Sequence, residues 1–179
     1  MTKLDNAHLK EIGERIAVPG YDRSRVQPGV VHFGVGGFHR AHQAMYLDTL
    51  MGENEALDWG IVGVGVLPGD RRMRDVMGEQ DCLYTLVVKD ADGTMHPRVI
   101  GSIADYLFAP DDPEAVLAVM ADPATRIVSL TITEGGYHVN QSTGEFDESD
   151  ARIQNDLSVL DEMEEGTMSL LGLKETASA

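Results

Sequence analysis

Apolar residues along the chain come in short, dense bursts separated by glycine, proline and acid clusters, and the period within each burst separates strands from helices. Val30-Val31-His32-Phe33-Gly34-Val35 is a compact β-branched and aromatic run of strand length. Beyond it Phe38, Ala41 and Met45, then Leu47, Leu50 and Met51, recur at three- and four-residue steps, which predicts one long helix ended by Gly52. Trp59 to Val66 runs apolar without alternation, the pattern of a strand covered on both faces, and Pro68-Gly69 closes it. Asp70 then reads as the N-cap of a helix through about Met77, because its carboxylate can accept first-turn N–H groups. Leu83 to Lys89 and Thr94 to Ile100 are strand-like and flank Asp90-Ala91-Asp92-Gly93, which predicts a hairpin. Asp111-Asp112-Pro113-Glu114 starts a helix running to about Met120. Arg126 to Thr133 is a further strand, broken by Glu134-Gly135-Gly136; a polar loop over 137–150 and an acid-heavy helix from Ala151 to about Glu165 follow. Residues 1–29, punctuated by Pro19-Gly20 and Pro28-Gly29, form a lead-in arm. This order predicts an α/β fold: a doubly wound, mainly parallel sheet of Rossmann-like type with a β-hairpin insertion.

Composition narrows the function classes. The length of 179 residues is one domain's worth. Acids outnumber bases 30 to 14, a net charge of −16 that repels phosphate backbones and anionic lipid, so nucleic-acid and membrane partners are not expected. Half of that charge falls in Gln141 to Ala179, with ten acids and two bases. No apolar stretch approaches the ~20 residues of a spanning helix, and the polar start lacks a signal-peptide core, which predicts a cytoplasmic protein. A single cysteine, Cys82, forms neither an internal disulfide nor a thiolate metal cage. His39 and His42 stand three apart with no further ligand to complete a set, so no metal is expected.

The sharpest chemical feature is Gly34-Val35-Gly36-Gly37-Phe38-His39, between a predicted strand and a predicted helix. Glycine at 34 permits a tight turn, glycine at 36 lets the main chain approach a pyrophosphate, and the helix start offers free N–H groups to it. His39 stands where the dinucleotide fingerprint has its third glycine, so the match is partial and a structural glycine turn is the competing reading. A rival, Gly63-Val64-Gly65, lies inside its strand rather than after it. Asp70 is the first acid past the second strand and a candidate for the adenosine ribose hydroxyls, although 31 residues separate it from His39 against the usual ~20. A plain helix cap is the alternative. Arg71, Arg72 and Arg74 either meet a 2′-phosphate or are solvated surface charge. Glu134, at the tip of a predicted parallel strand, either relays protons or bonds loop amides. No Tyr-x-x-x-Lys pair and no Gly-x-Ser-x-Gly motif occurs.

Val31-His32-Phe33-Gly34-Val35-Gly36-Gly37-Phe38-His39-Arg40-Ala41-His42-Gln43 resembles the cofactor-binding opening of the long-chain mannitol dehydrogenases, polyol-specific NAD-dependent oxidoreductases that include hexuronate reductases. Val128 to Tyr137, Tyr84-Thr85-Leu86, Val99 to Ile103 and Thr143 to Phe146 resemble the same family in the same order. The resemblance implies a Rossmann domain over residues 1–157, with a divergent acidic tail over 158–179. It implies NAD binding by His32, Phe33, Gly34, Val35, Gly36, Gly37, Phe38, His39, Arg40 and Asp70, and proton exchange through Glu134. Gly69 stands where the mannitol 2-dehydrogenase branch has a glutamate, which leaves the choice between NAD and NADP open. The family's catalytic pattern Lys-x-x-x-x-Asn-x-x-His is absent, so a polyol or hexuronate substrate is expected only together with a further domain. Two alternatives accompany this expectation: a non-catalytic dinucleotide-binding module, and the product of a truncated gene.

Overall fold

Val30 and Val31 point to opposite faces of one strand, and each face finds its own helices. The computed structural model describes residues 2–54, 56–132, 137–140 and 142–170, and falls into two units, Met1–Thr131 and Ile132–Ala179. In the first, β1 (Pro28–Phe33), β2 (Gly60–Gly65), β5 (Ile103–Phe108) and β6 (Ile127–Leu130) form a four-stranded sheet in the order β5-β2-β1-β6. All its pairings are parallel, with Val31 opposite Val62 on one side and Val128 on the other. The chain winds outward from β1 through β2 to β5, then returns to the other side of β1 for β6. The winding direction therefore reverses beside β1, where ligands bind in open α/β sheets.

One face carries Val30, Val35, Ile61 and Ile103 against Ala44, Met77 and Cys82. These belong to α3 (Gln43–Asn54), to α4 (Arg71–Glu79) and to the turn after α4. The other face carries Val31, Val62 and Val64 against Val116 of α5 (Pro113–Ala121). A separate antiparallel hairpin, β3 (Tyr84–Lys89) with β4 (Met95–Ile100), is the predicted insertion. Asp112 caps α5 by accepting from Ala115 N–H at 3.0 Å, with Pro113 in the first turn, as the sequence pattern requires.

Several expectations need correction. The single helix after β1 is two helices, α2 (Gly37–Ala41) and α3, broken at His42, whose φ/ψ of −121°/−83° is not helical. Gly52 does not end α3, which continues to Asn54. The strand β5 has no counterpart in the periodicity reading. Its segment Ile103-Ala104-Asp105-Tyr106-Leu107-Phe108 breaks alternation with an exposed Asp105, and its extended form is fixed by pairing with β2. The lead-in arm, which includes α1 (Leu9–Ile12), is tied down by Arg23, whose guanidinium donates to Gly101 O at 2.9 Å, Ile103 O at 3.0 Å and Asp81 O at 2.8 Å.

The second unit contains an isolated bridge between Val139 and Phe146 and the helix α6 (Ala151–Leu170), which runs past the expected end near Glu165. Asp150 starts α6 by accepting from Arg152 N–H at 2.8 Å. No helix among the described residues is long and apolar enough to cross a membrane.

Candidate dinucleotide site

The turn after β1 is built around Gly34, whose φ of +86° is a left-handed conformation that a Cβ disfavours. Its N–H donates to Val64 O at 2.9 Å, so the turn is tied to the tip of β2, and Gly36 N–H donates back to Gly34 O at 2.8 Å. A Cβ added at Gly36 or Gly37 would meet nothing within 4 Å, and both residues are exposed. The bare main chain of the turn therefore faces open space at the C-terminal edge of the sheet. The first-turn N–H groups of α2 face the same region without intrahelical acceptors. Because α2 has only five residues, an anion here is held by these individual N–H groups more than by a macrodipole.

Gly63 and Gly65 serve a different purpose. A Cβ at Gly63 would lie 2.5 Å from Val35 Cγ2 and 3.2 Å from Tyr106 Cδ2, and one at Gly65 would strike the Tyr106 hydroxyl. The second glycine pair is thus a packing device that lets Tyr106 lie across β2 and is not a phosphate loop. Burial first, and then the nearby Asp70 carboxylate, pushes the Tyr106 phenol up to about 12.

Beneath the turn sit two stacked histidines. The rings of His32 and His39 are 3.7 Å apart between centroids and inclined by 9°. Nδ1 of His32 lies 2.9 Å from Ser129 Oγ and its Nε2 lies 3.4 Å from Thr131 Oγ1, while Nδ1 of His39 lies 2.9 Å from Gln43 Oε1. His39 is 1% exposed, and its Nε2 has no hydrogen-bond partner among the described residues. Burial, then the charge of the neighbouring ring, pushes the His39 imidazole down to about 4, and burial lowers His32 as well. Both rings are therefore neutral near pH 7. His39 at the third fingerprint position acts as a buried prop under the loop, and His42, in the break, stays outside the stack.

The remaining candidates divide. Val35 is buried in the core and Phe33 packs partly against the α5 face, so each offers only its main chain to the site. Phe38 is 68% exposed, with its ring 4.8 Å from that of His42. Arg40 is drawn away toward α4 and β3: its Nη1 donates to Met73 Sδ at 3.6 Å, and its carbonyl accepts from the Tyr84 hydroxyl at 2.5 Å. Asp70 is not the forward cap that the sequence suggests. It ends a short 3₁₀ turn, and its Oδ2 accepts from the N–H groups of Val66 and Leu67, 3.0 Å each, bracing the loop after β2. Glu134 lies outside the described residues.

Ser129, Thr131 and Gln43, which hold the histidines, were not singled out by sequence reasoning. The readable signal was the alternation of Ser129 and Thr131 in an apolar strand, which places both on one face.

Residues 28–166 match the model of the mannitol dehydrogenase Rossmann domain. The mannitol 2-dehydrogenase of Pyricularia oryzae is 52% identical over 159 residues, covering 87% of this chain and 32% of its own length. That of Aspergillus clavatus is 50% identical over 165 residues, covering 89% and 33%. Among solved structures, Pseudomonas fluorescens mannitol 2-dehydrogenase in a ternary complex with NAD and D-mannitol superposes with a TM-score of 0.78 at 46% identity, covering 88% of this chain and 32% of that one. A substrate-free D-sorbitol dehydrogenase gives 0.75 at 44%, with the same coverage. The chain spans about a third of the length of these relatives. The match extends from β1 into α6 and takes in the glycine turn, the stacked histidines and the parallel sheet, and the chain belongs to the mannitol dehydrogenase family, within its Rossmann domain.

Proposed function

We propose that this chain is the dinucleotide-holding part of an oxidoreductase that interconverts a polyol, or a hexuronate, and its keto form by hydride transfer, with NAD as the cofactor. The observation that carries the reading is the Gly34 turn: bare main chain at Gly36 and Gly37, open to the C-terminal edge of the sheet at the point where its winding reverses.

In this reading the first-turn N–H groups of Gly37 and Phe38 bind the pyrophosphate oxygens, and Gly36, whose own N–H closes the turn on Gly34 O, leaves room for them to approach. Asp70 has one oxygen engaged with Val66 and Leu67, and its other oxygen, Oδ1, accepts from the adenosine ribose hydroxyls. A carboxylate at that position repels a 2′-phosphate, which favours NAD over NADP. His32 and His39 stay neutral, so they add no charge under the turn and hold its shape by stacking. When bound, the nicotinamide supplies the carbon that exchanges hydride with the substrate. Glu134 takes the proton-exchange role on the strength of the family resemblance. The base pattern Lys-x-x-x-x-Asn-x-x-His does not occur in these 179 residues, so the chain alone is expected to bind dinucleotide without oxidising mannitol.

NADH fluorescence titration of the purified chain tests this. Saturable enhancement is expected, weakened about tenfold or more by Gly36→Val, which sets a branched side chain where a phosphate would approach. An absence of saturable binding, or equal affinity in Gly36→Val with its circular dichroism unchanged, overturns the reading.

A further inference from the structure

Two cations stand beside the proposed adenosine end, and neither is free. Arg71 and Arg74 occupy the first turn of α4, immediately after Asp70, and their three-residue spacing puts them on one side of the helix. Both guanidiniums lie over the ring of Phe108, 5.0 Å and 5.4 Å from its centroid. Both also hold the same carboxylate. Arg71 donates through Nη2 to Asp111 Oδ1 at 3.0 Å and through Nη1 to Oδ2 at 3.3 Å, and Arg74 Nη1 pairs with Oδ2. Arg74 additionally holds Asp75 Oδ1 through Nε at 2.9 Å and Nη2 at 2.7 Å.

Topology places this cluster next to the site. Phe108 ends β5 in register with Gly65, the last residue of β2, and the loop that follows Gly65 is the one braced by Asp70. The adenosine ribose proposed at Asp70 is therefore flanked by two guanidiniums, the groups whose fork geometry best suits a phosphate. Among the described residues the Asp111 carboxylate has no partner besides these arginines: the cap of α5 belongs to Asp112, and the Asp111 main-chain N–H donates to Phe108 O at 3.0 Å. Among the described residues Asp111 is the sole carboxylate partner of Arg71.

We propose that Asp111 is a specificity-determining residue of the adenosine end: by engaging Arg71 and Arg74 it withholds the two cations that a ribose 2′-phosphate requires, and so sets a preference for NAD over NADP. This rests on the dinucleotide reading above. A 2′-phosphate entering beside Asp70 has to displace the Asp111 carboxylate from a forked pair. An unphosphorylated ribose asks nothing of the arginines.

Parallel titrations with NADH and NADPH at low ionic strength separate the two claims. Asp111→Ala raises NADPH affinity relative to NADH about tenfold or more, and added salt erodes the gain. Asp111→Glu keeps the ratio of the unaltered chain. Adding Arg71→Ala and Arg74→Ala to Asp111→Ala cancels the gain, whereas the two arginine substitutions with Asp111 intact leave the ratio unchanged, because the cations are already engaged. Overturning results are an unchanged ratio in Asp111→Ala with NADH binding retained, a gain that survives loss of both arginines, or a ratio moved by the arginine pair alone. If the unaltered chain binds neither nucleotide, the dinucleotide reading itself falls, and this assignment falls with it.

Discussion

At the residue scale, the stacked histidines couple the loop to pH. An imidazole in the unfolded chain protonates near 6.5, and His39 in the fold near 4, with burial and the adjacent His32 ring as the causes. Between those values the unfolded state binds a proton that the native state refuses, so stability is whole above about pH 6.5 and falls as pH drops toward 4. His32, lowered in the same direction, adds to the loss. The His39 share amounts to about 3 kcal/mol. Urea unfolding at about pH 7 and about pH 5 should show this decline, and His39→Phe, which keeps a ring on His32 without a titrating group, should flatten it. An equally steep decline in His39→Phe would assign the pH dependence to other groups. The sequence displayed His39 as a departure from the glycine fingerprint. Its role as a prop was not legible, because the His32 ring it stacks on and the Ser129 that holds that ring are brought together only by the fold.

At the element scale, one buried carboxylate joins segments far apart in the chain. Asp48 on α3 is 2% exposed and accepts from the Tyr21 hydroxyl at 2.7 Å, Gly101 N–H at 2.8 Å and Arg98 Nη2 at 2.5 Å. It thereby fastens the lead-in arm and β4 to α3, and burial first, then this carboxylate, raise the Tyr21 phenol well above its usual range. Removing an acceptor of this kind leaves three donors unpaired, so Asp48→Ala should destabilise the chain by about 3–5 kcal/mol in chemical denaturation, and Asp48→Asn by less. A loss below about 1 kcal/mol would show that water replaces the carboxylate. The elements themselves were largely readable. Unbroken apolar runs marked β1 and β2, Asp112-Pro113 marked α5, and Asp90 to Gly93 marked the hairpin turn. Two features were not. The strand β5 owes its form to the neighbouring β2 more than to its own pattern, and the break at His42 leaves the apolar three-and-four spacing of α2 and α3 intact, so periodicity passes over it.

At the scale of the whole molecule, strand order decides which of two glycine pairs faces a ligand. Both Gly34 to Gly37 and Gly63 to Gly65 look permissive in sequence. In the fold the first lies at the edge where the winding reverses, and the second lies beneath Tyr106. The acidic excess, half of it from Gln141 onward, contributes nothing to this choice, and Arg71 and Arg74 at the start of α4 are engaged by Asp111 and Asp75. The chain spans about a third of the length of its relatives, and the proposed holding of a dinucleotide is the central claim to test. Amide hydrogen exchange with and without NAD tests this most directly. The account predicts that saturating NAD slows exchange at residues 34–39 and 66–70, the glycine turn and the Asp70 loop, while the β3–β4 hairpin is unchanged. Protection confined to other segments, or none at any NAD concentration, would contradict it.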